Sequence, residues 1–230
     1  KAPRDVIVCD SDDENNLGKA FCVHKALDMA GSAIGIFISY LLLEKAGKTA
    51  AYKELFTISI IPAILGLLMF FFIKEKLTHA DAKKREPFWK NIKKLDGQLK
   101  LYLFVAFLFT LGNSSNAFLL LRAKSVGFDD NNVILLYLIF NLTASILSIP
   151  LGRLSDRVGR KKLLVAGYIV FSAVYLGFAF ASSQFTIIIA FVLYGFYSAM
   201  ITGVERAFIA EISPVDLKGS MLGLHSTIVG

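Results

Sequence analysis

The chain has 230 residues, of which 55% are apolar and 20 are Phe, and its formal net charge is +7. This composition excludes an ordinary soluble domain and indicates a polytopic helical membrane protein. The cations lie between apolar runs of about 20 residues, long enough to cross a bilayer, so topology and lipid headgroups explain the charge better than nucleic acid does. Neither a metal-ligand spacing nor a nucleotide-binding motif stands out, so we expect no cofactor, no metal and no enzyme.

The first part of the chain, residues 1–73, is predicted to hold the end of one helix and two complete helices. Residues 1–16 are interpreted as that helix end followed by an acidic cytoplasmic loop. The complete helices are predicted over 19–43 and 55–73. The first residue is Lys1 rather than Met, so we interpret the sequence as a fragment.

A long polar connection follows at 74–100 and carries nine Lys or Arg residues. Phe88 and Trp89 within it are typical of a segment that lies at the membrane interface. We interpret the connection as a cytoplasmic linker between two helical halves, the second of which, 101–230, is truncated. This second half is predicted to contain four helices and the start of a fifth, over 101–121, 132–151, 163–181, 185–212 and from Pro214 onward.

The distribution of cations predicts the topology. Nine cations lie in 74–100 and five in 153–162, whereas the opposite side has three in 44–53, two in 122–130 and none in 182–184. Alternate loops are therefore basic, as the positive-inside rule requires. The cytoplasmic loops are predicted at 1–16, 74–100, 152–162 and 205–218.

One turn between two apolar segments has a defined pattern of glycines and charges, with a single carboxylate, Asp156, among five cations. The pattern consists of Gly152, Leu154, Ser155, Asp156, Arg157, Gly159, Arg160, Lys161 and Leu163. It resembles the signature loop of the major facilitator superfamily at every defined position. The alternative is an ordinary positive-inside loop, but such a loop needs neither an Asp nor glycines at set places.

The resemblance implies an all-α, polytopic transmembrane bundle of two pseudo-symmetric six-helix halves, incomplete here. With 74–100 as the central linker, the chain runs from the end of the family's fourth transmembrane helix to the start of its eleventh. A weak internal repeat supports this frame, because a shift of 201 residues brings Gly18 onto Gly219 and His24 onto His225. Two related halves of such a transporter predict a repeat of that kind.

The resemblance also implies that Asp156 docks on the start of a helix at Leu17–Phe21 and on Arg206, with Glu205 as a third member. Free backbone N–H groups and the positive end of the helix dipole favour an anion there. A merely solvated Asp is the alternative. The gating residues are therefore predicted to be Gly152, Asp156, Arg157, Gly159, Arg160 and Lys161, with Arg4, Asp5, Glu205 and Arg206 as their partners.

A second hypothesis concerns the acidic stretch 10–14, which shares the predicted cytoplasmic face with the basic loop. Attraction between the two would act as a weak latch, because exposed ion pairs contribute only about 0–1 kcal/mol each. A solvated acidic turn is the alternative.

A third group of charges, His24, Lys25 and Asp28, has the three- and four-residue spacing of neighbours on one helix face. The run from Val23 to Gly31 resembles one found in some bacterial facilitator proteins. Asp28 is interpreted either as a group that exchanges a proton or as the structural partner of Lys25, with the structural role favoured.

Polar side chains are also predicted at membrane depth. Asn113 and Asn116 fall on one face of the helix predicted over 101–121, where amides either bond to neighbouring helices or line a wet cavity. Asn141, Tyr194 and Tyr197 are candidates for the same cavity, although each alone fits packing better than solute contact. The family often has an Asp where Asn116 stands, which weakens the case for proton coupling.

The resemblance implies a secondary active or facilitative transporter that moves a small solute by alternating access, with the loop at 152–163 as its cytoplasmic gate. The alternative is a protein of the same fold that senses or scaffolds without transport. The expected partners are a solute, H+ as a candidate coupling ion and the lipid bilayer, with no nucleic acid. We expect a monomer in a cell membrane, with a bacterial inner membrane favoured.

Overall fold

The structure, a computed structural model, describes residues 2–10, 16–45, 48–72, 96–113, 115–214 and 217–229. Over these residues the regular structure is entirely helical, which confirms the predicted all-α class. The helices are α1 Ala2–Asp10, α2 Leu17–Lys45, α3 Lys48–Phe70, α4 Gly97–Gly112, α5 Asn116–Ser125, α6 Asp130–Val158, α7 Arg160–Phe180, α8 Gln184–Ile212 and α9 Lys218–Val229.

Five segments among the described residues are long and apolar enough to cross a membrane. They coincide with α2, with α4 and α5 taken together, and with α6, α7 and α8. The helices predicted over 19–43, 132–151 and 185–212 lie within these segments, and the one predicted over 163–181 does so up to residue 180. The predicted linker at 74–100 lies outside the described residues except for its last five, 96–100.

The chain divides into two compact units. One unit consists of 1–36 and 96–230, and the other of 37–95. In the second unit, the end of α2 and α3 carry many exposed apolar side chains, as expected of surfaces that face lipid. The first unit contains the gating residues predicted from the sequence, and its geometry is described below.

The core of the first unit is built around α8, which is buried along most of its length against α6 and α7. Aromatic rings fill the space between these helices. Phe171 packs against Tyr197 with ring centroids 4.9 Å apart, and Phe140 packs against Tyr194 at the same separation. Because lipid tails are as apolar as these side chains, close packing rather than water exclusion stabilises such contacts within a bilayer.

The segment predicted as one helix over 101–121 forms two helices, so the prediction of a continuous helix was wrong. α4 ends at Gly112, where Asn113 turns to an extended backbone with ψ 99°. α5 begins at Asn116, and the side chain of Ser115 caps it by accepting a hydrogen bond from the Ala117 N–H. A glycine followed by a capping serine therefore ends one helix and begins the next.

The turn predicted at 152–163 is almost entirely helical, which corrects the predicted helix ends at 151 and 163. α6 continues to Val158 and α7 begins at Arg160, so only Gly159 separates them. Gly159 has φ +98°, a conformation that glycine adopts without a steric cost. The signature residues on either side of it therefore project from two rigid helix ends.

Candidate gating site

The carboxylate of Asp156, at the end of α6, lies against the first turn of α2. Its Oδ1 accepts a hydrogen bond of 2.9 Å from the backbone N–H of Gly18, and its Oδ2 accepts one of 2.8 Å from that of Lys19. The first N–H groups of a helix have no partner within the helix, and the dipole there favours an anion. The contact with Leu17–Phe21 that the sequence predicts is therefore present.

Glycines allow this close approach. A Cβ atom on Gly18 would lie 2.5 Å from Asp156 Oδ1, and one on Gly152 would lie 2.8 Å from the Gly18 carbonyl oxygen. On the far side of the same turn, a Cβ atom on Gly203 would lie 2.5 Å from the Cys22 sulfur. The start of α2 thus fits between α6 and α8 only because three positions lack a side chain. We call this contact the α2 seam.

The seam extends one turn further into α2. The hydroxyl of Ser145 donates a hydrogen bond of 2.8 Å to the carbonyl oxygen of Ala26. Cys22 is fully buried between these contacts. The sequence analysis did not single out Ser145 or Cys22 for this surface, although Gly18, Cys22 and Ala26 follow one another at four-residue spacing, which is the signal of a close helix contact.

Arg160, the first residue of α7, neutralises Asp156 and links it to α8. Its Nη2 donates to Asp156 Oδ1 at 2.9 Å, and its Nη1 donates to Glu211 Oε2 at 2.6 Å. Arg160 is 7% exposed, so this guanidinium is largely removed from water. The network therefore joins the ends of three helices, and Glu211 is a member that the sequence analysis missed.

The predicted partners Arg206 and Glu205 have different contacts. Arg206 pairs with Asp5 of α1, with Nη1 3.5 Å from Oδ1, while Asp156 pairs with Arg160. Arg4, another of the predicted gate partners, also lies beside Asp5, with its Nε 3.5 Å from Oδ1. Asp5 is 1% exposed, so two guanidinium groups compensate a buried carboxylate. This charge cluster links α1 and α8 beside the α2 seam.

Glu205 points away from Asp156. Its Oε1 accepts a hydrogen bond of 3.0 Å from the Tyr168 hydroxyl, and its Oε2 lies 3.6 Å from His225 Nε2. Successive residues of an α-helix point about 100° apart, so Glu205 and Arg206 face different neighbours. Glu205 is therefore buried among α7, α8 and α9 rather than at the predicted gate contact.

The remaining gating residues and charges are more exposed. Arg157 and Lys161 lie at the surface on either side of Gly159. Lys25 Nζ lies 3.4 Å from Asp28 Oδ2, which agrees with the structural pairing favoured from the sequence. His24 is partly buried on the same helix. The latch proposed for the acidic stretch 10–14 lies outside the described residues apart from the backbone of Asp10.

Two of the predicted cavity residues, Asn116 and Tyr194, meet beside the helix break. The Tyr194 hydroxyl donates a hydrogen bond of 2.9 Å to Asn116 Oδ1, and the Tyr175 hydroxyl donates one of 3.2 Å to Asn113 Oδ1. Asn141 and Tyr197, in contrast, are buried in the helix packing. Asn141 is 1% exposed, and its amide donates to the carbonyl oxygen of Tyr137 in its own helix.

Comparisons with known proteins agree with the helical membrane fold. The chain matches the Major Facilitator Superfamily over residues 3–230. It is 36% identical over 235 residues to an uncharacterized MFS-type transporter of Methanocaldococcus jannaschii, covering 100% of this chain and 58% of that protein. A D-xylose transporter of Levilactobacillus brevis is 33% identical over 79 residues, covering 34% of this chain and 17% of that protein. No solved structure matches.

The apolar helices define a multi-pass membrane protein, and the signature loop and the sequence matches define its class. The chain belongs to the Major Facilitator Superfamily. It spans 58% of the length of the first of these relatives.

Proposed function

We propose that this protein carries a small solute across a membrane by alternating access, and that the α2 seam closes its cytoplasmic side. The observation that carries the proposal is the pair of hydrogen bonds from Gly18 and Lys19 to Asp156. Membership of a transporter family and the five apolar helices support it. In this proposal α1 to α3 belong to the first half and α4 to α9 to the second, with 74–100 as the linker.

A gate must stabilise the closed state enough to populate it, but not so strongly that the protein cannot open. Hydrogen bonds to a charged group contribute about 1.5–3 kcal/mol each, so the two bonds to Asp156 are strong enough to bias the closed state and weak enough to be broken. The charge cluster around Asp5 adds a second contact between the two proposed halves. Rocking of the halves would separate both contacts and open a path to the cytoplasm.

The helix break at Asn113–Ser115 is the proposed place of solute contact. Irregular backbone at membrane depth is tolerated where it is buried in protein or lines a water-filled cavity. Asn113 and Asn116 at the break carry uncharged hydrogen-bonding groups, with tyrosine hydroxyls beside them. This chemistry favours a neutral polar solute. The named D-xylose transporter suggests D-xylose as the first probe.

The test is uptake of labelled D-xylose by vesicles that contain the intact purified protein. We expect saturable uptake in the wild type, and slower uptake in Asp156→Asn because the gate no longer closes fully. Glu54→Gln, which replaces an exposed carboxylate in the other unit, is the matched control and should behave like the wild type. A binding signal for solute without any movement into the vesicle would favour a sensor or scaffold instead.

Direct contact with solute is tested separately from the gate. Asn113→Ala should weaken uptake of the probe while leaving the accessibility of Cys22 in the α2 seam unchanged. Weaker uptake together with faster labelling of Cys22 would mean that Asn113 supports the helices rather than the solute. H+ as a coupling ion and a bacterial inner membrane as the location remain parts of the proposal.

A further inference from the structure

Four cations around the junction of α6 and α7 take no part in the contacts described so far. Arg153 and Arg157 lie in the last two turns of α6, Lys161 and Lys162 lie in the first turn of α7, and all four are exposed. Within the part of the chain that the structure describes, none of these side chains forms an ion pair or a hydrogen bond. We call these four residues the junction cations.

The carboxylates beside the junction already have partners. Asp156 accepts hydrogen bonds from the start of α2 and from Arg160, and Glu211 accepts one from the same guanidinium. Arg160 therefore takes up the negative charge on which the junction cations would otherwise rely. Among the described residues, the junction is left with an excess of positive charge at one end of the bundle.

Exposed apolar side chains continue from the junction cations along both helices. On α6, Leu154 and Val158 are exposed and lie four residues apart. On α7, Val165 and Ile169 are 52% and 66% exposed. Lys161, Val165 and Ile169 follow one another at four-residue spacing, so they share one face of α7. A charged end and an apolar length are thus combined on a single exposed surface, which we call the α7 stripe.

A surface of this kind fits a phospholipid. Long basic side chains near a helix end reach the headgroup region, while apolar side chains on the same face contact the acyl chains. The sequence predicts that this end is cytoplasmic, and the cytoplasmic leaflet is the one that carries anionic lipids. A soluble acidic partner, or the acidic stretch 10–14 of this chain, would use the cations but would leave the apolar length uncovered.

We propose that the junction cations bind the headgroup of an anionic phospholipid whose acyl chains lie along the α7 stripe. The headgroup phosphate accepts hydrogen bonds from the guanidinium and ammonium groups, which have no acceptor in the described protein. Attraction of this kind is worth about a fivefold gain in affinity for each cation near the surface. The site does not depend on the proposed function, because it requires no movement of solute.

The test measures which lipid lies beside the α7 stripe. The intact protein carries Trp89→Phe, which removes its one native tryptophan, and Val165→Trp as a reporter one turn from Lys161. It is reconstituted into vesicles of phosphatidylglycerol and phosphatidylcholine, with brominated, quenching acyl chains on one lipid or on the other. The two degrees of fluorescence quenching give the preference for the anionic lipid. We expect a preference of about fivefold or more.

A second position on α7 is the matched control. Leu176 is 59% exposed and lies one turn from the opposite end of the helix, so Leu176→Trp samples the other leaflet at a similar depth. This reporter should show no preference between the two lipids. Ile169→Trp, one turn further along the α7 stripe, repeats the measurement if Val165→Trp does not fold. Equal preferences at the two ends of α7 overturn the proposal.

Removal of charge tests the junction cations directly. Arg157→Gln with Lys161→Gln, added to the reporter at Val165, should abolish most of the preference. Lys53→Gln with Lys124→Gln makes the same change in net charge at two exposed cations that do not belong to the junction, and it should leave the preference unchanged. A preference that survives the first pair of substitutions, or that falls equally with both pairs, overturns the site.

Two other occupants of the junction give different results. If inorganic phosphate at constant ionic strength abolishes the preference, the cations bind free phosphate and the lipid site is overturned. If Asp12→Asn with Asp13→Asn raises the preference several-fold, the acidic stretch 10–14 is the partner of these cations instead. We expect neither change. Because no solute is present, the outcome is the same whether or not the protein transports D-xylose.

Discussion

Cys22 packs directly against Gly203, so closely that a Cβ atom on the glycine would lie 2.5 Å from the thiol sulfur. The same thiol borders Gly152 on the neighbouring helix. Helix packing in membranes relies on such small residues because close backbone approach replaces the hydrophobic driving force. The close fit at Cys22 allows the α2 seam to be tested in two ways, by substitution of the glycines and by chemical labelling of the thiol.

Gly203→Ala is expected to destabilise the protein. Its new methyl group would overlap the Cys22 sulfur, and overpacking of this kind costs about 1–3 kcal/mol. The double variant Gly203→Ala with Cys22→Ala should recover part of the loss, because the sulfur is then gone. Thermal unfolding of the detergent-solubilised protein measures the effect. Gly177→Ala is the control, because a Cβ atom there has nothing within 4 Å.

Asp156→Asn is expected to open the α2 seam more often. The amide keeps one acceptor oxygen but loses the charge and one of the two bonds to the start of α2. A loss of about 2 kcal/mol corresponds to a shift of roughly 30-fold in the ratio of closed to open states. The rate of Cys22 labelling by maleimide, measured with Cys9→Ser in the background, reports this ratio. An unchanged rate would contradict a gating role for Asp156.

Arg122→Ala should destabilise the end of α7 without affecting the seam. The guanidinium donates hydrogen bonds to the carbonyl oxygens of Phe178, Ala179 and Ala181, which have no acceptor role within the helix. Thermal unfolding should show a loss of about 1–3 kcal/mol. Arg122→Lys should recover only part of it, because an ammonium lacks the planar fork.

The control for Arg122 is its neighbour Lys124. Lys124 forms an ion pair of 2.7 Å with Asp130, but both side chains are about half exposed. An exposed pair contributes about 0–1 kcal/mol, so Lys124→Ala should change the stability little. Comparable losses in both variants would mean that loss of charge, rather than capping of α7, causes the effect.

Tyr194→Phe and Asn116→Ala test the hydrogen bond between α8 and the start of α5, beside the helix break. Each removes one partner of the 2.9 Å contact, so their effects on stability should not add in the double variant. We expect a coupling of about 0.5–1.5 kcal/mol from one neutral hydrogen bond. A double-mutant cycle on thermal unfolding measures it, and binding of D-xylose to the same variants shows whether solute uses this contact.

The apolar helices could be predicted from the sequence because they depend on local patterns, whereas the docking of Asp156 was implied by the resemblance of the signature loop. Apolar runs of fixed length and a spaced motif can be read without knowing how the helices rotate. The contacts of Glu205 and Arg206 could not be read in this way. They are adjacent in the sequence and both charged, and only the packing of α8 decides which faces α1 and which faces α9.

The helix break and the junction at Gly159 were missed for a related reason. Asn113 and Ser115 are compatible with a polar helix face, so the pattern did not distinguish a continuous helix from two capped ones. At Gly159 the charges suggested a solvated loop, whereas a single positive-φ glycine suffices to join two helices. Glu211 was missed because its partner Arg160 lies 51 residues away in the chain.

The junction at Gly159 also bears on the proposed release of Asp156 from α2. A single residue separates α6 from α7, and Arg160 on one side of it pairs with Asp156 on the other. If the α2 seam opens as proposed, this ion pair can stay intact while the hydrogen bonds from the α2 backbone are lost. The carboxylate would then leave α2 with its counter-ion still beside it, and release would not require an unpaired charge.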